Sequence, residues 1–253
     1  MWTWVAVTVT LLVLAGLFRH GWPVLRGQHT ESERPGYDGA VTQEPRRGLL
    51  WMQLRESTRA AHAQAEASLA PLARPDSLAR YAALLCVLWG FQAPLERLLG
   101  HQELPSAVGW TARQRLGALA ADLTDLGVTG TSLPEAAGLP TLASPGAVWG
   151  TLYVTEGATL GARVLRHRIE ARLGPVPVRF LDGHGDRTQP MWRDLGQLAD
   201  RYVNNKQDSQ LARQAAIQAF AAFSTWASHA EERSDRRCAH AGVPWMISQA
   251  GLG

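Results

Sequence analysis

From Leu49 onward, apolar residues recur with the helical period, and two-residue alternation of Val, Ile and Thr is scarce. Ala, Leu, Arg and Gln dominate, all residues that favour helix. A chain written this way has little from which to build a sheet and predicts an all-α fold. Its 253 residues, 46% of them hydrophobic, suffice for one large core, and no repeat or long low-complexity run interrupts them.

The helical stretches can be read in order. Residues 54–69, LRESTRAAHAQAEASL, carry an apolar and small stripe of Leu54, Thr58, Ala61, Ala65 and Leu69. Asp76 and Ser77 offer an N-cap for 78–99, which is apolar nearly all round and is expected to be buried, with Pro94 kinking or dividing it. Thr111 is expected to cap a run that reaches Leu126, and 127–145 reads as a connection. Residues 146–173 predict a long helix ended by Gly174 and Pro175. An irregular segment, 176–190, precedes the last two helices, 191–202 and 208–233.

Ahead of these, residues 1–18 carry no charge and are long enough for a short membrane span. They lack the basic start and cleavage site of a secretory signal. Arg19, His20 and Arg26 follow, which by the positive-inside rule leaves the rest of the chain in the cytoplasm, tethered to the inner membrane. The expected organisation is an N-terminal hydrophobic segment (1–22), a flexible linker (23–48), a folded domain (49–242) and a loose tail (243–253). The other reading of 1–22 is a mis-called start, with Met52 as the true one. Net charge is +3 and spread along the chain, which does not argue for nucleic acid. It suits a small anionic ligand or an acidic protein partner. Cys86 and Cys238 form no metal-type pair, so a reducing compartment is the simplest reading.

Two stretches carry chemistry. Arg55, His62 and Glu66 fall along one flank of the 54–69 stripe. A histidine at the border of a buried face can reach an interior ligand with one ring nitrogen while the other meets a polar partner, here Glu66 one turn on. In YVTEGATLGARVL, Tyr153, Gly157 and Gly161 recur at i, i+4 and i+8. Two glycines inside a helix cost about 1 kcal/mol each relative to alanine, so they need a reason. It is either close helix–helix packing or the approach of bare backbone to a flat ligand. A histidine on one helix and a glycine stripe on another suit a planar metallocycle held between them, with His62 as axial ligand. His167, His184, His229 and His240 show no metal-ligand spacing and read as surface or structural residues.

LRESTRAAHAQAE, YVTEGATLGARVL and FLDGHGDRTQPMW, in this order and spacing, resemble haem oxygenases, specifically bacterial ones associated with bacteriophytochromes. The resemblance spans about residues 49–226. It implies haem sandwiched between a proximal helix and a kinked distal helix. His62 then matches the proximal iron ligand, and Gly157 and Gly161 the distal glycines that touch the haem and steer dioxygen. Arg55 and Tyr153 match propionate partners, and Phe220 and Phe223 resemble aromatic pocket residues of the last helix. The implied reaction takes haem, O₂ and electrons from an external donor, a ferredoxin-like or other reductase, to biliverdin, CO and ferrous iron. A bacteriophytochrome is the implied product acceptor.

Two positions depart from the family pattern. Ala158 stands where many members carry an aspartate that orders distal water, and Ala162 replaces the second glycine of a frequent pair. Both bear on turnover and not on iron ligation. The alternative is therefore a non-catalytic haem-binding or trafficking protein on the same fold. A di-iron enzyme would need inward carboxylate sets that Glu66, Glu156 and Glu170 do not make. A thiaminase-like enzyme would need a cysteine nucleophile, whereas Cys86 lies in an apolar run.

Overall fold

The computed structural model describes residues 49–128 and 133–230. The expected hydrophobic segment 1–22, linker 23–48 and tail 243–253 lie outside the described residues, as do Cys238 and His240. Within them the chain forms seven α-helices: α1 (Leu49–Ser57), α2 (Arg59–Leu69), α3 (Leu78–Gly100), α4 (Leu116–Asp125), α5 (Pro145–Leu173), α6 (Thr188–Tyr202) and α7 (Lys206–Ser228). Short 3₁₀ turns occupy Ser106–Val108, Trp110–Arg113 and Gly185–Arg187. No strand occurs among the described residues, so the fold is all-α.

The last helix, α7, is the common neighbour: it lies along α5, and α1, α2 and α3 also pack on it. The α5–α7 approach is close because α5 has no side chain where the backbones meet. A Cβ placed on Gly146 would fall 2.1 Å from the Asp208 carbonyl oxygen, and one on Gly150 2.1 Å from that of Ala212. Facing them, α7 contributes the buried alanines Ala212, Ala216 and Ala219. Small residues on both sides let the two helices come together.

Helix starts are fixed by caps of two kinds. Ser77, Ser144 and Asn205 accept hydrogen bonds from the amides of Arg80, Ala147 and Asp208 at 3.4, 3.1 and 2.8 Å. The other kind comes from afar. Asp200 of α6 accepts from the Leu49 and Leu50 amides at 3.1 and 2.9 Å. Buried Glu96 of α3 accepts from Arg115 and Leu116 at 2.8 and 3.1 Å, and so caps α4. The cap expected at Thr111 is not used: Thr111 falls inside a 3₁₀ turn, and α4 starts at Leu116.

The expected single helix over 54–69 is interrupted at Thr58, whose backbone has φ −99° and ψ 1°. Two consecutive hydroxyls explain this. Ser57 Oγ donates to the Gln53 carbonyl at 2.8 Å and Thr58 Oγ1 to that of Leu54 at 2.7 Å. Such back-bonding competes with the ladder and bends helices. The backbone bonds Thr58 N to Leu54 O and His62 N to Thr58 O still bridge the interruption. The stripe itself is buried at Leu54, Thr58 and Ala65. Leu50 and Trp51 belong to the same core, so a domain beginning at Met52 would cut α1 within its first turn.

Pro94 does not divide α3, which runs on to Gly100. Proline has no N–H, so the Gly90 carbonyl loses its helical donor. The Ala136 amide, from the following connection, takes that place at 2.8 Å. Trp226 of α7 fits the same spot: a Cβ on Gly90 would lie 2.2 Å from its ring, and its indole N–H donates to the Val87 carbonyl at 2.8 Å. By length and composition α3 could cross a membrane, but most of it is buried inside the fold and it serves as a core helix.

Candidate functional site

His62 stands on α2 with its side chain 41% exposed, and its Nδ1 lies 3.6 Å from Glu66 Oε1. A carboxylate near one ring nitrogen is the arrangement that orients an imidazole whose other nitrogen can bind a metal. The imidazole meets Phe220 of α7 edge-on, with centroids 5.2 Å apart at 71°. Phe223 is not brought to this place. Its ring packs against Phe91 of α3 at 4.9 Å, in the core that includes Trp226.

On α5 the face that touches α7 at Gly146 and Gly150 continues, three turns on, to Gly157 and Gly161. A Cβ on Gly157 would reach the Trp192 ring at 3.4 Å, whereas one on Gly161 would find nothing within 4 Å. Ala158 and Gly161 are exposed. One stripe thus serves close packing in its first half and borders open space in its second.

Tyr153, one turn before Gly157, joins α5 to α1. Its ring lies 5.2 Å from Trp51 at 76° and 5.5 Å from Trp192, and those two indoles are 5.3 Å apart. Burial pushes its phenol above the ordinary value, and the neighbouring Thr58 hydroxyl and Arg55 cation only partly oppose this. The phenol is therefore neutral near pH 7. The fold brings Arg55 and Tyr153 to one edge, with Thr58 beside them.

A charged cluster grips α5 one residue ahead of Gly157. Glu156 accepts from Arg113 Nη1 at 2.6 Å, and His184 Nε2 lies 3.4 Å from the same carboxylate oxygen, off-line for a full hydrogen bond. These side chains are 1%, 4% and 8% exposed respectively. Arg113 also donates to the carbonyls of Val108 and Met191, at 2.6 and 3.2 Å. Arg115 donates to the Thr155 carbonyl at 3.3 Å and lies 4.6 Å over the Phe180 ring. Burial works against the charge on Glu156, but His184 and Arg113 outweigh it and hold the carboxyl below its ordinary value. The cluster ties α5 to α6 and to two irregular segments. Sequence spacing gave no sign of it, and here the His184 side chain is largely covered and serves a structural place.

Among the described residues no three His, Cys, Asp or Glu side chains are grouped to hold a metal ion. A single histidine suffices to hold iron where the other ligands arrive with the metal, as the four nitrogens of a porphyrin do.

The structure is similar to that of a haem oxygenase from Neisseria meningitidis solved with NO and CO bound, with a TM-score of 0.58 and 25% sequence identity. The likeness covers 72% of this chain and 91% of that one. A curated haem oxygenase from Xanthomonas campestris pv. campestris (strain 8004) is 42% identical over 64 residues. The chain has the haem oxygenase fold. The match to the Xanthomonas haem oxygenase takes in 25% of this chain and spans about a third, 36%, of that protein's length. No protein-family model matches the chain. The residues present fit haem: a half-exposed histidine backed by a carboxylate, an aromatic wall at Phe220, open space over Gly161, and a cation with a phenol at one edge.

Proposed function

We propose that the chain is a haem oxygenase, converting haem with O₂ and electrons to biliverdin, CO and ferrous iron. The observation that carries this reading is that α7 brings His62 of α2 to Phe220 while also packing along α5, whose glycine stripe then opens at Gly161. When bound, haem supplies both the iron that activates dioxygen and the macrocycle that is oxidised. The protein's part is placement. His62 holds the iron from the proximal side, and Glu66 orients the imidazole and raises its basicity. Gly157 and Gly161 let the backbone of α5 come close on the distal side and restrict the space left for dioxygen. Arg55 and Tyr153 tie the haem carboxylates, the arginine through its planar fork and the neutral phenol as a hydrogen-bond donor. With a methyl group at Ala158, the hydrogen-bonding groups for distal water are those of the backbone. A ferredoxin-like reductase as electron donor, a bacteriophytochrome as product acceptor and an inner-membrane tether in residues 1–18 complete the proposal.

The test uses the full chain and its His62→Ala variant. Haemin is added, then ascorbate or a ferredoxin system in air, and the Soret band and biliverdin absorbance are followed together. Soret loss with biliverdin formation, absent in the variant, is the expected result. A stable His62-dependent Soret band without biliverdin would replace the enzyme reading by haem binding or trafficking. No haem binding at all would overturn both.

A further inference from the structure

We propose that segment 182–186 is a splint holding the outer half of α5, that Asp182 is the positioning residue that latches it, and that opening this latch governs haem release. The gating part of the inference rests on the haem reading of the site; the splint itself does not.

The segment lies against one face of α5, at Glu156, Thr159, Arg163 and Arg166, which recur at helical spacing. His184 Nε2 stands 3.4 Å from Glu156 Oε2, and a Cβ on Gly183 would lie 3.4 Å from that of Thr159. The Gly185 carbonyl accepts from Arg163 Nη1 at 3.3 Å, and the Asp182 carboxylate accepts from Arg166 Nη1. Gly183 and Gly185 have φ of +66° and +58°, which lets so short a segment turn while it keeps to the helix. On either side of it Leu181 and Thr188 are buried, so its ends are fixed.

Gly157 and Gly161 fall within the splinted stretch, on a neighbouring face. Glycine gives up more backbone freedom in a helix than any other residue, so α5 is weakest there. A Cβ on Gly161 meets nothing within 4 Å, so no neighbour on that side resists a bend. The two ends of the splint differ in kind. At the inner end Glu156 is 1% exposed and gripped by Arg113. At the outer end Arg166 and Asp182 are 30% and 39% exposed. A wet ion pair opens readily and is weakened by salt, whereas a buried one is neither. The outer half of α5 therefore swings at Arg166 about a fixed Glu156. Glu170 also pairs with Arg166, at 3.2 Å, but it belongs to α5, moves with the helix and fastens it to nothing.

The experiment reads amide hydrogen exchange on the haem-free full chain and on its Asp182→Asn, Arg163→Met and Glu170→Gln variants, then times haem release from each to a scavenger. Amides of 162–170 should exchange about threefold faster in Asp182→Asn, with those of 148–154 unchanged. Arg163→Met removes the other outer contact and should act in the same direction. Glu170→Gln should exchange as the wild type does. Salt at about 1 M should bring the wild type to the Asp182→Asn rate and leave that variant where it is. Haem release should quicken about threefold in Asp182→Asn, rise in Arg163→Met and stay unchanged in Glu170→Gln. Wild-type exchange in both Asp182→Asn and Arg163→Met overturns the proposal. So does an equal rise across 148–154, or a Glu170→Gln effect as large as that of Asp182→Asn. Faster exchange with unchanged haem release overturns the latch as a gate. A chain that binds no haem refutes the proposed function instead, and exchange then still decides the splint.

Discussion

Glu156 sits almost wholly out of water, one position ahead of Gly157, and its charge is kept by Arg113 and His184. Removing one partner of such a buried pair costs roughly 3–5 kcal/mol, because the other is left charged and uncompensated. Glu156→Gln is therefore expected to lower the stability to urea at pH 7 by that order. The pH dependence has a definite sign. The folded-state carboxyl lies below its ordinary 4.5, so its contribution is complete above the unfolded value and is lost as pH falls through the folded one. Urea titrations between pH 7 and pH 3 should show the wild type losing stability over the acid part of that range. The variant should follow a flatter course, and equal slopes would show that Glu156 is not a source of acid sensitivity. This pair joins residues 43 apart in the chain, which is why spacing could not reveal it. His62 with Glu66, by contrast, is a pairing one turn long and was legible.

At the scale of the helix, α5 carries glycines whose reasons differ along its length. Gly150→Ala would drive a methyl group into the Ala212 carbonyl and force α7 away, so a loss of about 3 kcal/mol is expected, the upper end of what overpacked cores show. Gly161→Ala meets open space and should gain up to about 1 kcal/mol from helix propensity. Its cost is expected in haem affinity and turnover. Thermal unfolding set beside haem titration separates the two, and a Gly161→Ala chain with wild-type haem affinity and turnover would remove that glycine from the site. The extent of α5 was legible to within one residue, and its end was marked by the local signal of Gly174 and Pro175, although the Ser144 cap at its start was not singled out. The starts of α1 and α4 were not, since Asp200 and Glu96 reach them from other helices. The interruption at Thr58 was also hidden: in sequence its hydroxyl counts only as a small residue on an apolar stripe.

For the molecule as a whole, helical periodicity was enough to read an all-α fold, but not the way the helices meet. That arrangement depends on α7 reaching α1, α2, α3 and α5 at once, through alanines and aromatic rings whose partners are fixed only in three dimensions. The carbonyl that Pro94 leaves without its helical donor is a meeting point of this kind. In the chain, Pro94 reads as a fault in α3. In the fold, the freed Gly90 carbonyl receives Ala136, and the same turn receives Trp226, so the connection and the end of the last helix close on one place. Isotope exchange would register this directly. Ala136 lies in irregular chain, yet its amide should trade hydrogen for deuterium as slowly as those in the middle of α3, because freeing it requires all three segments to part together. Rapid exchange at Ala136 would show the connection opening by itself. Slow exchange would make that single amide a reporter of global unfolding placed outside any helix.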